Sequence, residues 1–160
     1  TNFAKNHFDL CVNKIESKIM NTHSEKIMPK ELRTIGISGA IAVTLGALGA
    51  HALKNQLPGG LITPDQLNGF DTGVKYQMYH TLAMLMVVFL KNNFQSKLFN
   101  FAYHFFLWGM ILFSGSLYFL CTRNLIGMNW LSFLGPVTPL GGLLFVAGWL
   151  CLAMAVFKKS

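Results

Sequence analysis

The sequence predicts an all-α fold: an integral membrane four-helix bundle with an N-terminal amphipathic helix outside the membrane. Hydrophobic residues make up 52% of the 160 residues and charged residues only 12%, about half of the charged fraction usual in soluble domains. Four apolar segments, residues 32–53, 74–90, 98–120 and 139–157, are each long enough to cross a hydrocarbon core of about 30 Å. A soluble bundle is disfavoured because four such helices leave no polar outer face.

The chain is predicted to form two parts, a basic N-terminal extension over residues 1–30 and a four-span transmembrane domain over residues 31–160. In the first span, Ala42, Gly46 and Ala50 are spaced four residues apart. Small residues at this spacing allow helix backbones to approach each other closely in lipid. We therefore expect these three residues to form a helix-packing face, and the first span to be the best packed of the four.

The extension has the pattern of an amphipathic helix. Its apolar side chains recur at spacings of four, three and four residues, on one helical face: Phe8, Val12, Ile15 and Ile19. The lysines lie mostly off that face, and Met28-Pro29 ends the pattern before the first span. Two interpretations stay open: a helix that lies on a membrane surface or against a partner, and a solvated helix that packs on its own chain.

The connections between the spans contain recognisable turn and cap signals. In the first, residues 54–71, Thr63 is predicted to cap a short helix with Pro64 at its first position. We expect that short helix to lie at the membrane interface. The polar residues 91–97 predict a short turn before the third span, and a longer loop that contains Trp130 precedes the fourth.

Basic residues are distributed unevenly between the two ends of the spans. With four spans, the termini and the 91–97 turn share one side, which holds ten Lys and Arg residues, whereas the other side holds three. This bias predicts that both termini face the cytoplasm or the mitochondrial matrix. It also assigns the net charge of +7 to membrane contacts and not to nucleic acid. The residues predicted to contact lipid headgroups or a partner are Lys14, Lys18, Lys26, Arg33, Lys158 and Lys159.

The strongest polar groups of all four spans fall at one level, in the half of the membrane opposite the termini. This predicted polar cluster consists of His51, Tyr76, Gln77, His80, Ser114, Ser116, Tyr118 and Thr138. Polar side chains at membrane depth are expected to face the bundle and to pair with each other. We favour a hydrogen-bond network that locks the bundle. A site for a small molecule, lipid headgroup or proton, and a metal or haem site that uses His51 and His80, stay open.

The sequence lacks motifs for catalysis or metal binding. It has no phosphate-binding loop, no dinucleotide fingerprint and no zinc-ligand spacing. Asp65 and Asp71 are the only carboxylates after Glu31, so no nucleophile, base and acid can be assembled in the spans. We therefore expect no enzyme activity, cofactor or metal. Three cysteines without a CxxC pair also predict no disulfide framework.

Four motifs, in order along the chain, carry a resemblance to a known family: residues 45–53 (LGALGAHAL), 72–83 (TGVKYQMYHTLA), 113–118 (FSGSLY) and 138–142 (TPLGG) with Gly148-Trp149. With them the chain closely resembles the transmembrane protein 256 family, also called domain of unknown function 423, over about residues 33–157. Members of this family are small membrane proteins of bacteria and mitochondria. The resemblance implies four helices and an inner-membrane location, and it implies no activity. The extension lies outside the family pattern.

The extension, the basic side of the bundle and the missing catalytic groups together favour a supporting function. We expect a non-catalytic accessory subunit of a mitochondrial inner-membrane complex, most naturally of the respiratory chain. The extension would contact a matrix-side neighbour or an anionic lipid such as cardiolipin, and the start at Thr1 in place of Met fits removal of a targeting segment. Two alternatives stay open: a small transporter or ligand-binding protein that uses the polar cluster, and a bacterial plasma-membrane protein with both termini cytoplasmic.

Overall fold

The structure, a computed structural model, describes residue 14 and residues 28–94 and 96–157. The chain divides into two units, residues 1–34 and residues 35–160. The first unit is described only at residue 14 and from residue 28 onward. The packing described below therefore concerns the second unit.

The predicted amphipathic extension falls almost entirely outside the described residues. Two of the basic residues predicted to contact headgroups are described, Lys14 and Arg33, and both are exposed and helical. The other four, Lys18, Lys26, Lys158 and Lys159, lie outside the described residues. Their contacts with lipid or with a partner stay predictions.

Four long helices account for most of the described chain. They are α1 (Met28–Leu48), α2 (Pro64–Asn93), α3 (Leu98–Thr122) and α4 (Val137–Phe157). A π-helical turn, Gly49–Leu53, and a 3₁₀ turn, Lys54–Gln56, continue α1, and a 3₁₀ helix, Asn129–Leu134, precedes α4. Residues 28–94 and 96–157 contain no strand, so the all-helical prediction is confirmed.

Three stretches are long and apolar enough to cross a membrane by length and composition, namely Lys30–Gln56, Leu98–Thr122 and Asn129–Ala155. The predicted second span lies within α2, which does not meet the same criterion because of its polar residues. Gln77, His80 and Thr81 of α2 are nonetheless buried. The bundle therefore shields the polar part of α2, as expected for polar groups at membrane depth.

A capping box fixes the start of α2. The Thr63 hydroxyl accepts a hydrogen bond from the Gln66 amide at 3.2 Å, and the Gln66 side chain accepts one from the Thr63 amide at 3.0 Å. Pro64 occupies the first helical position, so the predicted cap is confirmed. The prediction of a separate short helix at the membrane interface is wrong, because α2 continues from Pro64 without a break for 30 residues, a length of about 45 Å. The helix is thus longer than a hydrocarbon core.

Consecutive helices run antiparallel. Along each pair of neighbouring helices, the contacting residue numbers increase on one helix while they decrease on the other. α3 packs against both α2 and α4, and a third of its apolar stretch is buried, compared with 22% for each of the other two candidate spans. The expectation that the first span is the best packed is therefore wrong. The contacts that define the antiparallel order are Ser38–Thr81, Gly46–Val74, Gly69–Cys121, Gly73–Tyr118, Gly109–Phe145 and Ser116–Thr138.

The predicted packing face of α1 needs one correction. Ala42 is fully buried and Gly46 is half-buried, but Ala50 is exposed. An α-helix turns by about 100° per residue, so Ala50 is rotated about 80° away from Ala42, whereas Gly49 is rotated by only about 20°. Gly49 is buried, and a Cβ atom on it would lie 3.1 Å from the Phe70 ring. Gly49 therefore replaces Ala50 on the packing face.

The backbones of α3 and α4 come into contact at Gly141. A Cβ atom on Gly141 would lie 2.8 Å from the Cα atom of Phe113, a separation at which backbone atoms must move. The neighbouring Gly142 has room, since a Cβ atom there would meet only the Phe113 ring, at 3.9 Å. The close approach of the two helices thus depends on missing side chains, at Gly141 and also at Gly109, where a Cβ atom would lie 2.7 Å from the Phe145 ring and 3.1 Å from the Gly141 carbonyl oxygen.

We predict that Gly141→Ala destabilises the bundle by about 1–3 kcal/mol, because the added methyl group must separate α3 from α4. Gly142→Ala, the matched control, leaves stability unchanged or slightly raised, because Ala has the higher helix propensity. Thermal unfolding of both variants in detergent measures the difference. Equal melting temperatures would contradict the contact at Gly141.

Candidate functional site

The side-chain amide of Gln77 on α2 joins three helices. Its Nε2 atom donates a hydrogen bond to the backbone carbonyl of Ser38 on α1 at 2.9 Å. Its Oε1 atom accepts one from the Tyr118 hydroxyl on α3 at 2.7 Å. Gln77 is only 6% exposed, so these bonds replace water. One residue of α2 therefore ties that helix to both of its neighbours.

Two buried hydroxyl groups extend this arrangement. The side chains of Ser38 and Thr81 share a hydrogen bond of 2.7 Å, and the Thr81 hydroxyl donates to the Gln77 carbonyl at 2.7 Å. Because Thr81 uses its proton on that carbonyl, the one proton of the Ser38 hydroxyl is shared between the Thr81 oxygen and the Met110 sulfur. The sulfur of Met110 lies 3.2 Å from the Ser38 hydroxyl. We call Ser38, Gln77, Thr81, Met110 and Tyr118 the Gln77 network.

Three members of the network, Ser38, Thr81 and Met110, are absent from the predicted polar cluster. Thr81 lies four residues after Gln77 and so shares its helical face, a signal that the sequence contains. Ser38 is a small polar residue within an apolar span, where its backbone carbonyl and its hydroxyl both find partners on α2. Met110 carries no sequence signal, because a thioether in an apolar helix is indistinguishable from ordinary core.

A second polar link joins α3 to the start of α4. The Ser116 and Thr138 hydroxyls are 2.7 Å apart, and Ser116 also donates to the Phe113 carbonyl at 2.9 Å. Thr138 therefore donates to Ser116. The nearby Ser114 is 1% exposed, and its hydroxyl has no partner among the described residues. Ser116 and Thr138 thus pair as a structural link, whereas Ser114 is buried without a bond.

His80 and Tyr76 are held mainly by aromatic rings. The His80 ring stacks on Phe145, with centroids 3.4 Å apart and planes at 8°, while Nδ1 donates to the Tyr76 carbonyl at 2.8 Å. The Tyr76 ring stacks against Phe113 at 4.7 Å. His80 and Tyr76 also line a cavity of about 720 Å³, bordered by Trp149 and by other residues of α2, α3 and α4. These two residues of the predicted cluster therefore lie apart from the Gln77 network.

His51 does not belong with the polar cluster. It is exposed in the π-helical turn, and no hydrogen bond or ring contact joins it to the cluster within the described residues. Nine residues of helix rotate it by about 180° from Ala42, which is buried against α2. His51 and His80 are therefore not brought together. Across residues 28–94 and 96–157, no three His, Cys, Asp or Glu side chains are grouped to hold a metal ion.

We predict that Gln77→Leu lowers the stability of the bundle by about 1–3 kcal/mol, because the half-buried Tyr118 hydroxyl and the Ser38 carbonyl lose their partner. Thr44→Val is the control, since the exposed Thr44 hydroxyl bonds to Ala40 within its own helix. Unfolding of detergent-solubilised protein measures both variants. If the leucine variant is as stable as the control, the network does not hold the three helices.

Comparison with known proteins places these motifs in a family. A family model described as a protein of unknown function, DUF423, matches residues 45–142. A UPF0382 membrane protein of Haemophilus influenzae is 37% identical over 133 residues, which cover 82% of this chain and 96% of the relative. The membrane protein YwdK of Bacillus subtilis is 37% identical over 124 residues, 76% of this chain and 91% of the relative.

A third relative, a UPF0382 membrane protein of Staphylococcus aureus, is 36% identical over 122 residues, with 76% of this chain and 90% of the relative covered. No solved structure matches the chain. The names of these relatives describe them as membrane proteins and give no activity. On this similarity and on its apolar helices, the chain is a membrane protein that belongs to the DUF423 family.

Proposed function

We propose that this protein is a non-catalytic accessory subunit that supports the assembly or stability of a larger membrane complex. The observation that supports the proposal is that the strongest polar groups of the spans are hydrogen-bonded to other groups inside the bundle. The Gln77 amide and the Tyr118, Ser38 and Thr81 hydroxyls bond to groups within the bundle. Groups used in this way hold helices together and are not free to bind or to react with a substrate.

The exposed face of α1 is suited to packing against a helix of another subunit. Gly36, Ala40 and Ala47 are exposed on the side of α1 opposite the buried Ala42, and a Cβ atom on Gly36 would meet nothing within 4 Å. Small residues at four-residue spacing, here Gly36 and Ala40, are typical of faces on which membrane helices associate. α1 therefore has one small-residue face against α2 and a second that faces outward, where a helix of another subunit would pack.

We further propose the mitochondrial inner membrane as the location, with a respiratory-chain complex as the assembly and both termini on the matrix side. The support is the uneven distribution of basic residues in the sequence, ten against three, and the basic extension that precedes the family pattern. This extension would contact a neighbouring subunit or cardiolipin. The bacterial relatives favour the alternative of a bacterial plasma membrane, in which the same charge bias directs both termini to the cytoplasm.

A small transporter or ligand-binding protein is the second candidate. It is favoured by the cavity beside Tyr76 and His80. It has less support because Gln77, Ser116, Tyr118 and Thr138 do not line that cavity and are hydrogen-bonded elsewhere. The lining is otherwise aromatic or apolar apart from Tyr79, and it offers few polar groups to recognise a transported solute.

Blue-native electrophoresis with mass spectrometry of the native membranes tests the proposed function. We predict that the protein migrates in a high-mass band, and that Ala40→Leu shifts it to a free species by blocking the outward face of α1. Ala153→Leu on α4 is the matched control, because Ala153 is also an exposed helical alanine, and it should leave the band unchanged. Migration of the unmodified protein only as a free species of about 18 kDa, its own mass being 17.8 kDa, would reject the proposal.

A further inference from the structure

A second cavity, of about 370 Å³, lies between the end of α1 and the beginning of α2. It is separate from the Gln77 network and from the cavity beside His80. Its eleven lining residues include Gly46, Ala50, Lys54, Asn68, Asp71 and Val74. Eight of these eleven residues are apolar or glycine, and the three polar ones are Lys54, Asn68 and Asp71.

Lys54 and Asn68 lie toward the loop end of this lining, away from Gly46 and Val74. Lys54 begins the 3₁₀ turn that continues α1, whereas Gly46 lies eight residues earlier, roughly 12 Å deeper at 1.5 Å per residue. Val74 borders Gly46 at that depth, since a Cβ atom on Gly46 would lie 3.4 Å from the Val74 side chain. Asn68 precedes Val74 by more than one turn, toward the loop. The cavity therefore has an apolar floor and a mixed rim, where Lys54 and Asn68 lie beside the apolar Leu57, Pro64 and Leu67.

Small residues keep the floor of the cavity open. Gly46 places no side chain between α1 and α2, and Ala50, which is exposed, adds only a methyl group. The space beside Gly49 is instead occupied by the Phe70 ring, 3.1 Å from where a Cβ atom would lie. Phe70 closes one side, where it packs with Leu53 and Ile62 in the buried cluster at this end of the bundle. A longer side chain at position 50 would extend into the space that these residues leave.

The charges at the rim identify the chemistry of the occupant. Asp71 is paired with Lys75 one turn further along α2, at 2.6 Å, so its charge is already matched. Lys54 is exposed, and no carboxylate pairs with it among the described residues. An unmatched cation above an apolar cavity, at the end of membrane helices, is complementary to a phosphate group joined to hydrocarbon.

We propose that this cavity binds one glycerophospholipid molecule, with its phosphodiester at Lys54 and the upper part of an acyl chain against Gly46, Ala50 and Val74. Asn68 is placed to donate a hydrogen bond to the glycerol esters or the phosphate. The cavity is smaller than a whole lipid, so the remaining hydrocarbon extends over the exposed faces of the helices. This proposal does not depend on the accessory-subunit function, and it holds for a freestanding membrane protein.

Native mass spectrometry of the purified full chain tests the proposal, with palmitoyl-oleoyl phosphatidylethanolamine, phosphatidylglycerol or a matching diacylglycerol added in detergent. We predict one retained molecule of either phospholipid and no retained diacylglycerol, since only the phospholipids carry the phosphodiester. Inorganic phosphate is added as a competitor and should not displace the lipid. Displacement by phosphate would mean that the site binds a small anion, and equal retention of diacylglycerol would mean that Lys54 does not select the ligand.

Two pairs of variants locate the site. Ala50→Leu, which fills the cavity, should abolish retention, whereas Ala153→Leu, at an exposed alanine of α4 outside the lining, should not. Lys54→Gln should weaken binding about tenfold, the change expected when one charge-assisted hydrogen bond is lost, whereas Lys97→Gln at another exposed lysine should have no effect. Thermal unfolding establishes that each variant is folded. Unchanged retention in both Ala50→Leu and Lys54→Gln would overturn the proposal.

Discussion

The organisation of this bundle depends on how one buried amide is satisfied. In the hydrocarbon interior of a membrane, a carboxamide has no water to bond, so an unpaired Gln77 would cost several kcal/mol. Both ends of the amide are hydrogen-bonded: the nitrogen donates to a carbonyl on α1, and the oxygen accepts from a hydroxyl on α3. Since α2 carries this residue, the positions of α1 and α3 around α2 are coupled. A shift of either helix along its axis would break a bond that nothing else in the described chain replaces.

Close packing between helices stabilises the bundle together with the hydrogen bonds of the Gln77 amide. Apolar side chains gain little by leaving lipid for the protein interior, so membrane helices associate through close backbone approach and hydrogen bonds. The α3–α4 pair uses both devices: the contact at Gly141 and the bond between Ser116 and Thr138. The α1–α2 pair uses Gly49 against Phe70 and the Ser38–Thr81 bond. Polar links and small residues therefore stabilise each interface together.

Much of this architecture could be predicted from the sequence, because helix length and the positions of polar residues in apolar segments are local properties. The same is true of the Thr63 cap, which depends on residues within one turn. The pairing of the polar groups was harder to predict. Membership of the Gln77 network depends on rotation about each helix axis, which excludes His51 and includes Ser38. A four-residue spacing also suggested Ala50 for the packing face, although a position seven residues from Ala42 stays closer to that face.

Function was the least predictable part, because no local pattern specifies which surface of a membrane helix meets a partner. The outward small-residue face of α1 becomes visible only once the opposite face is seen to be occupied by α2. The cavity near Lys54 is likewise formed by residues from two helices and the turns between them. Both features lie outside the polar cluster, so the interior of the bundle and its proposed working surfaces are distinct.

The hydrogen bond between the Tyr118 hydroxyl and the Gln77 amide joins α2 to α3, and a double-mutant cycle tests it most directly. The free energy of unfolding in bicelles is measured for the unmodified protein, Gln77→Leu, Tyr118→Phe and the double variant. We predict a coupling free energy between Gln77 and Tyr118 of about 0.5–1.5 kcal/mol, in the range of hydrogen bonds between membrane helices. Strictly additive effects of the two substitutions would contradict it, because they would mean that the two side chains contribute to stability independently.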